Sequence, residues 1–297
     1  MRLRSFVGSI AIWALAGCVS SGVDGLNGAE VNEISGNQPY SISTSSDHAR
    51  VGDTSQRFEL RHGDCRGYDC DNDRQRIELF QSYQAENTSV GETIWYGWSI
   101  YLPEDFQDIS PANTLMGQVK LKDWRGPMWS LEIKRGALSL VIENAPNFGT
   151  DCPVVWLSQM RGRWTDIVVK ADYRLRPQES RSLEFWVNGQ RSRCGWSGPL
   201  ISQEMLDLST TDRLSFRYGI YNSYVSRWLS RNATRRVTAD QFVDLHEDSG
   251  HIARSPSNTP FLYDWGVELP TFVAYYDEVR VGSSREAVDV RMIYDNN

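Results

Sequence analysis

Leu214-Ser-Phe-Arg-Tyr-Gly-Ile-Tyr221 alternates along its whole length, with Arg217, Gly219 and Tyr221 sharing one side. Successive side chains of an extended strand point to opposite faces, so a period of two buries one set and leaves the other on an open face. The same short alternation recurs at 58–62, 76–80, 94–101, 115–121, 129–134, 138–142, 164–170, 183–187 and 272–281. Many short strands separated by turn residues predict an all-β sandwich or barrel. Val187-Asn-Gly-Gln190 reads as a hairpin turn, because Asn-Gly accepts positive φ cheaply. Only 203–208 and 239–247 read as helix. No repeat and no second hydrophobic core is visible, so 51–297 reads as one domain.

The 297 residues are 40% hydrophobic and 11% aromatic, which is too aromatic for a disordered chain. A net charge of −7 argues against nucleic acid as a partner, since phosphate binding needs a basic face. An anionic glycan stays open, because Arg and Lys gathered on one face would suffice to bind it.

Residues 1–17 read as an address. Arg2 and Arg4 precede a short apolar run that is too short for a membrane span. The run ends in Leu15-Ala-Gly-Cys18, which is similar to the lipobox of bacterial lipoproteins. That resemblance implies a lipidated Cys18, and with Val19 after it an outer-membrane lipoprotein facing the periplasm or the cell surface. Cleavage would leave the mature chain two charges more acidic, and the lipid would be its only membrane contact. Residues 18–50, rich in Ser, Gly and Asn, read as a flexible tether. Four further cysteines in an exported chain predict two disulfides. Of three pairings, Cys65–Cys70 closing a small loop and Cys152–Cys194 joining distant strands is favoured.

The open-phase positions carry an unusual set: Arg76 with Glu78, Gln118 with Lys120, and Arg217 with Tyr221. Cross-strand ion pairs would account for some of this; a face that grips a polar, negatively charged ligand would account for all of it.

Arg76-Ile-Glu78, Gln118-Val-Lys120 and Phe216-Arg-Tyr-Gly-Ile-Tyr-Asn222 follow the order of three motifs of jelly-roll polysaccharide lyases. With the "RFELRHGDC" start and the closing "YYDEVRVG", the chain over about 56–283 resembles the heparin lyase I-like and glucuronan lyase-like branch, related to alginate lyases of the same fold. The resemblance implies a two-sheet, concanavalin-like β-jelly roll with a concave substrate groove. It implies a monomer that cleaves a uronic-acid-containing anionic polysaccharide by β-elimination, with no cofactor required. Where alginate lyases carry Gln-x-His this chain has Lys120, and Phe80 and Arg217 also depart from their pattern, so alginate is disfavoured.

β-Elimination removes the proton on carbon 5 of a uronate and then the glycosidic oxygen on carbon 4. The adjacent carboxylate must first be neutralised, for which Gln118 as an amide donor and Arg76 as a fork are suited. A base and an acid must follow. Tyr221 matches the family's catalytic tyrosine, with Arg217 and Lys120 as cations to favour its phenolate. His62 is the alternative base: it lies in a family-like strand, whereas His48 falls in the tether and His246 and His251 in an inserted loop. Glu78, Arg217, Tyr218 and Asn222 are expected about the substrate, and Trp124 beside Arg125 could stack on a sugar. A link whose departing groups lie on one side of the ring needs only Tyr221; the other geometry needs His62 opposite it.

Asp69-x-Asp71-x-Asp73 begins like a calcium loop but lacks its Gly and has Phe80 at position twelve. Asp277 is the candidate ligand of a structural calcium, as in related jelly rolls. Residues 225–265, with Arg227, Arg231, Arg235 and Arg236, are expected to wall the groove. Two other functions stay open: a non-catalytic glycan-binding lipoprotein, and a glycoside hydrolase, which lacks the expected Glu-x-Asp-x-x-Glu strand.

Overall fold

The structure is a computed structural model and describes residues 31–34, 38–82, 88–142, 152–236 and 260–294. Among them the chain runs through β1 (Val31–Ile34), β2 (Ile42–Ser45), β3 (Ser55–Leu60), β4 (Arg74–Gln81), β5 (Thr93–Tyr101), β6 (Asn113–Leu121) and β7 (Trp129–Lys134). It continues through β8 (Ala137–Val141), β9 (Cys152–Trp156), β10 (Trp164–Asp172), β11 (Leu183–Val187), β12 (Gln190–Trp196), β13 (Leu214–Ser223) and β14 (Phe272–Gly282). The α-helices are α1 (Leu157–Met160), α2 (Gln203–Leu208), α3 (Val225–Asn232) and α4 (Val290–Tyr294).

These strands make two antiparallel sheets, ordered β1-β4-β13-β6-β7-β8-β9 and β12-β11-β10-β5-β14-β3-β2. The expected all-β sandwich is therefore present. Its core forms where the apolar phases meet: Ile77, Val119, Leu131, Phe216 and Ile220 from the first sheet face Phe58, Tyr96, Trp98, Val169 and Phe185 from the second. Removing that apolar surface from water is the main stabilising contribution. The rings interlock across the gap, with Phe216 5.1 Å from Trp98 and 5.2 Å from Tyr96. Two of the buried tyrosine hydroxyls in this core are paired: Tyr96 donates to Tyr173 at 3.1 Å, and Tyr218 to Oε1 of Gln56 at 2.9 Å.

Both expected disulfides form. Cys65–Cys70 closes a 3₁₀ turn (Gly67–Asn72) ahead of β4, and Cys152–Cys194 ties the edge strand β9 of one sheet to the edge strand β12 of the other. Asn188 and Gly189 take φ of 50° and 80° in the β11–β12 hairpin, as the Asn-Gly pair predicts.

Two expectations change. The stretch read as a tether supplies edge strands to both sheets: β1 pairs with β4 and β2 with β3. Arg50 then forks onto Asp166 at 2.9 and 3.1 Å. An edge strand has one neighbour and can be short and polar, so its composition resembles a linker. The second change is α3, which folds the start of the basic insertion into a helix. The helix expected at 239–247 lies outside the described residues, as do 1–17 and Cys18.

Candidate active site

β13 lies between β4 and β6 in the first sheet. Register sets Tyr221 opposite Arg76 and Leu115, Gly219 opposite Glu78, and Arg217 opposite Phe80 and Gln118. All of these side chains are on the sheet's outer face, because Ile77, Val119, Phe216 and Ile220 occupy the inner one. The β13–β6 ladder slips between Tyr218 and Tyr221, leaving an irregular stretch around Gly219 at φ +134°. Tyr276 reaches across from the second sheet to satisfy it, its hydroxyl lying 2.7 Å from the Gly219 carbonyl and 2.9 Å from that of Met116. Glycine is required here, since a Cβ at 219 would lie 2.3 Å from the Ile77 carbonyl oxygen.

Groups two strands apart also meet on this sheet. Nε2 of Gln118 donates to Oε1 of Glu78 at 2.7 Å, across β13. Nη1 of Arg76 reaches Oε2 of the same carboxylate at 3.4 Å. Arg76 is held more firmly by Asp69, with Nε to Oδ2 at 2.6 Å and Nη2 to Oδ1 at 2.5 Å. Its guanidinium carbon lies 4.1 Å from the centroid of the Tyr221 ring, a cation–π contact. Tyr221, Gln118 and Arg76 thus converge, joined through Glu78.

Tyr221 is 8% exposed, and its hydroxyl has no hydrogen-bond partner among the described residues. Burial pushes its phenol well above the ordinary tyrosine range; Arg76 and Arg74 oppose that shift, while Asp69 and Glu78 add to it. The resting side chain is therefore a neutral phenol. The cations that act on it come from β4 on the neighbouring strand. Arg217 instead lies over the Phe80 ring at 5.5 Å, and Lys120 donates from Nζ to the Arg125 carbonyl at 3.2 Å. Neither takes the phenolate-stabilising place expected of it.

Several expected roles are corrected by placement. Arg76 is not an open fork for a substrate carboxylate, because Asp69 already fills it. Glu78, 1% exposed, lies beneath the surface and orients Gln118 and Arg76. Tyr218 points into the core, edge-on to Phe58 at 5.8 Å, and cannot line a substrate face. Asn222 is fully buried in the same inner phase, its Oδ1 accepting from Thr114 Oγ1 at 2.8 Å. Trp124 packs partly buried against the core. His62 stands in the turn after β3 rather than in a strand; its Nδ1 accepts the Leu269 N–H at 3.1 Å, and Phe261 meets its ring. Burial lowers its pKa, with Glu268 opposing, and the occupied Nδ1 leaves the proton of the neutral ring on Nε2. None of its contacts among the described residues reaches Tyr221, Gln118 or Arg76.

Sequence reasoning missed Asp69 and Arg74 as members of this site. Alternation from Arg76 already put Arg74 on the outer face. Asp69 had only its position inside a short cysteine-bounded turn to point to it.

At Asp277 a structural calcium does not fit. Asp277 spends its carboxylate on backbone N–H donors, Oδ2 from Arg50 at 2.8 Å and Val51 at 3.2 Å, and Oδ1 from Glu278 at 2.8 Å. Those donors take three of the carboxylate's four lone-pair positions, which a cation would otherwise use. In the acidic turn, Asp69 faces Arg76 and Asp73 faces Ser226, so the acids do not converge. No group of three or more His, Cys, Asp or Glu among the described residues could hold a metal ion.

The sequence model of the polysaccharide lyase family matches residues 20–243. The chain belongs to that family. In fold, this family member is similar to an endo-β-1,4-glucuronan lyase from the fungus Trichoderma reesei, at 18% identity and TM-score 0.52, over 89% of this chain and 95% of that one. That likeness establishes the jelly-roll arrangement of the two sheets. An alginate lyase, A1-II′, aligns at 11% identity and TM-score 0.45 over 83% of this chain and 85% of its own. No curated protein matches the sequence.

Proposed function

We propose that this polysaccharide lyase cleaves a uronic-acid-containing anionic polysaccharide by β-elimination on the outer face of the first sheet, with Tyr221 as the proton-transferring group. The observation that carries the reading is the convergence of Tyr221, Gln118 and Arg76 about Glu78. An amide has two N–H donors, and Glu78 takes one of those on Gln118. The other is directed to the uronate carboxylate and lowers the cost of enolate formation at carbon 5. Tyr221, as phenolate, removes the carbon-5 proton; as phenol, it returns a proton to the oxygen that leaves carbon 4.

With His62 committed to Leu269, this mechanism has one acid–base group on one side of the sugar. That favours a link whose carbon-5 proton and leaving oxygen lie on the same side, as in glucuronate or mannuronate. The glucuronan lyase likeness supports the first, and the departure from the alginate lyase pattern weighs against the second. The lipobox ending in Cys18 supports anchorage at the outer membrane. Glucuronan, heparin-like chains, alginate and ulvan, each incubated with the protein, form the test. Rising ultraviolet absorbance from unsaturated uronate ends on glucuronan supports the proposal. New reducing ends without that absorbance would mean hydrolysis, and binding without either would mean a glycan-binding protein.

A further inference from the structure

We propose that Asp69 is a positioning residue for Tyr221, acting through Arg76, and that the Cys65–Cys70 disulfide holds it in place. The proposal rests on the role assigned to Tyr221 above. Asp69 sits in the 3₁₀ turn Gly67–Asn72, which the disulfide closes across five positions. Both of its carboxylate oxygens accept from one guanidinium, Nε at 2.6 Å and Nη2 at 2.5 Å. Two parallel bonds fix the plane of the guanidinium as well as its position, which a single bond would not. That group lies over the Tyr221 ring at 4.1 Å. Asp69 thus determines where the tyrosine's cation stands without touching the substrate itself.

The same turn controls the chain beyond Tyr221. The Asp73 N–H closes on the Asp69 carbonyl, and the Asp73 carboxylate receives the Ser226 N–H and Oγ, both at 2.7 Å. Ser226 is the second residue of α3, shortly after β13 ends at Ser223. One disulfide-closed turn therefore grips both the residue stacked on Tyr221 and the exit of its strand. The charged groups acting on Tyr221 are Arg74, Arg76 and Glu78 of β4 and Asp69 of the turn, while β6 sets Leu115 opposite it. Without the Asp69 charge, Arg76 is less neutralised and its field favours phenolate.

Asp69→Asn is expected to lower kcat about 10- to 100-fold on the polymer the wild type cleaves, with KM changed little, because a misplaced acid–base group slows chemistry more than binding. The pH–rate profile should also move to lower pH. Asp69→Glu keeps the charge and should return the profile toward the wild-type position. The Cys65→Ser/Cys70→Ser double variant should shift kcat in the direction of Asp69→Asn. An Asp69→Asn enzyme with unchanged kcat and profile overturns the proposal, even if it melts at lower temperature. Ring-labelled tyrosine NMR, with Tyr221 assigned by Tyr221→Phe, reads the coupling without turnover. A lower titration point for Tyr221 in Asp69→Asn supports the proposal, and an unmoved one overturns it. A wild type that cleaves no uronan defeats the elimination reading, and the NMR titration still decides on Asp69.

Discussion

Gln118 and Glu78 are hydrogen-bonded across an intervening strand, Nε2 to Oε1 at 2.7 Å, with β13 between them. The bond takes one of the two amide protons and leaves the other for the donor role proposed above. Gln118→Ala should therefore lower kcat/KM about 100-fold, the usual loss when a preorganised donor to a developing oxyanion is removed. Glu78→Gln keeps the shape but weakens the acceptor, and a loss of about tenfold is expected. Steady-state rates of unsaturated-product formation check both; unchanged rate and affinity in Gln118→Ala would remove its carboxylate-neutralising role.

The strands and the site were unequally legible in the sequence. Alternation in 214–221 and its counterparts foretold the sandwich, since core and surface faces impose a period of two. The same alternation put Arg76, Gln118 and Tyr221 on outer faces, and they do converge. It also opposed Tyr218 and Asn222 as substrate contacts; the motif likeness carried them over regardless, and both are buried. Nothing local could reveal that Asp69 fills the Arg76 fork or that Leu269 occupies His62, because those partners meet only after folding. β1 and β2 escaped notice because polar edge strands resemble linkers.

Gly219 should tolerate no side chain. The Cβ of Gly219→Ala would meet the Ile77 carbonyl oxygen at 2.3 Å, and φ of +134° is strained for any L-residue. A loss of about 2–3 kcal/mol in urea denaturation is expected. Tyr276→Phe removes the hydroxyl that serves the Gly219 and Met116 carbonyls and should cost about 1–3 kcal/mol.

Asp73 should make stability fall with rising pH. Burial raises its carboxyl from 3.8 to about 6, against the opposing hydrogen bonds from Ser226. The folded form then holds the proton more tightly than the unfolded chain. Its contribution is full below the unfolded pKa and is lost as pH rises through about 6. Relative to Asp73→Asn, wild-type stability should decline by roughly 3 kcal/mol at most across that window. Urea midpoints at several pH values give the slope, and a difference independent of pH would contradict it.

Catalysis should favour alkaline solution. Burial keeps the Tyr221 phenol protonated, so the fraction present as base grows with pH. kcat/KM should climb with a limiting slope of about tenfold per pH unit through neutrality. A rate that falls over that range would assign Tyr221 the acid role alone.

Tyr221→Phe assayed on the preferred uronan is the most direct test, because it removes one oxygen and leaves the ring stacked on Arg76. The rate of unsaturated-uronate formation should drop about 100- to 10,000-fold while circular dichroism stays that of the wild type. Turnover within a few fold of wild type would contradict the account, since the proton would then be moving through some other group.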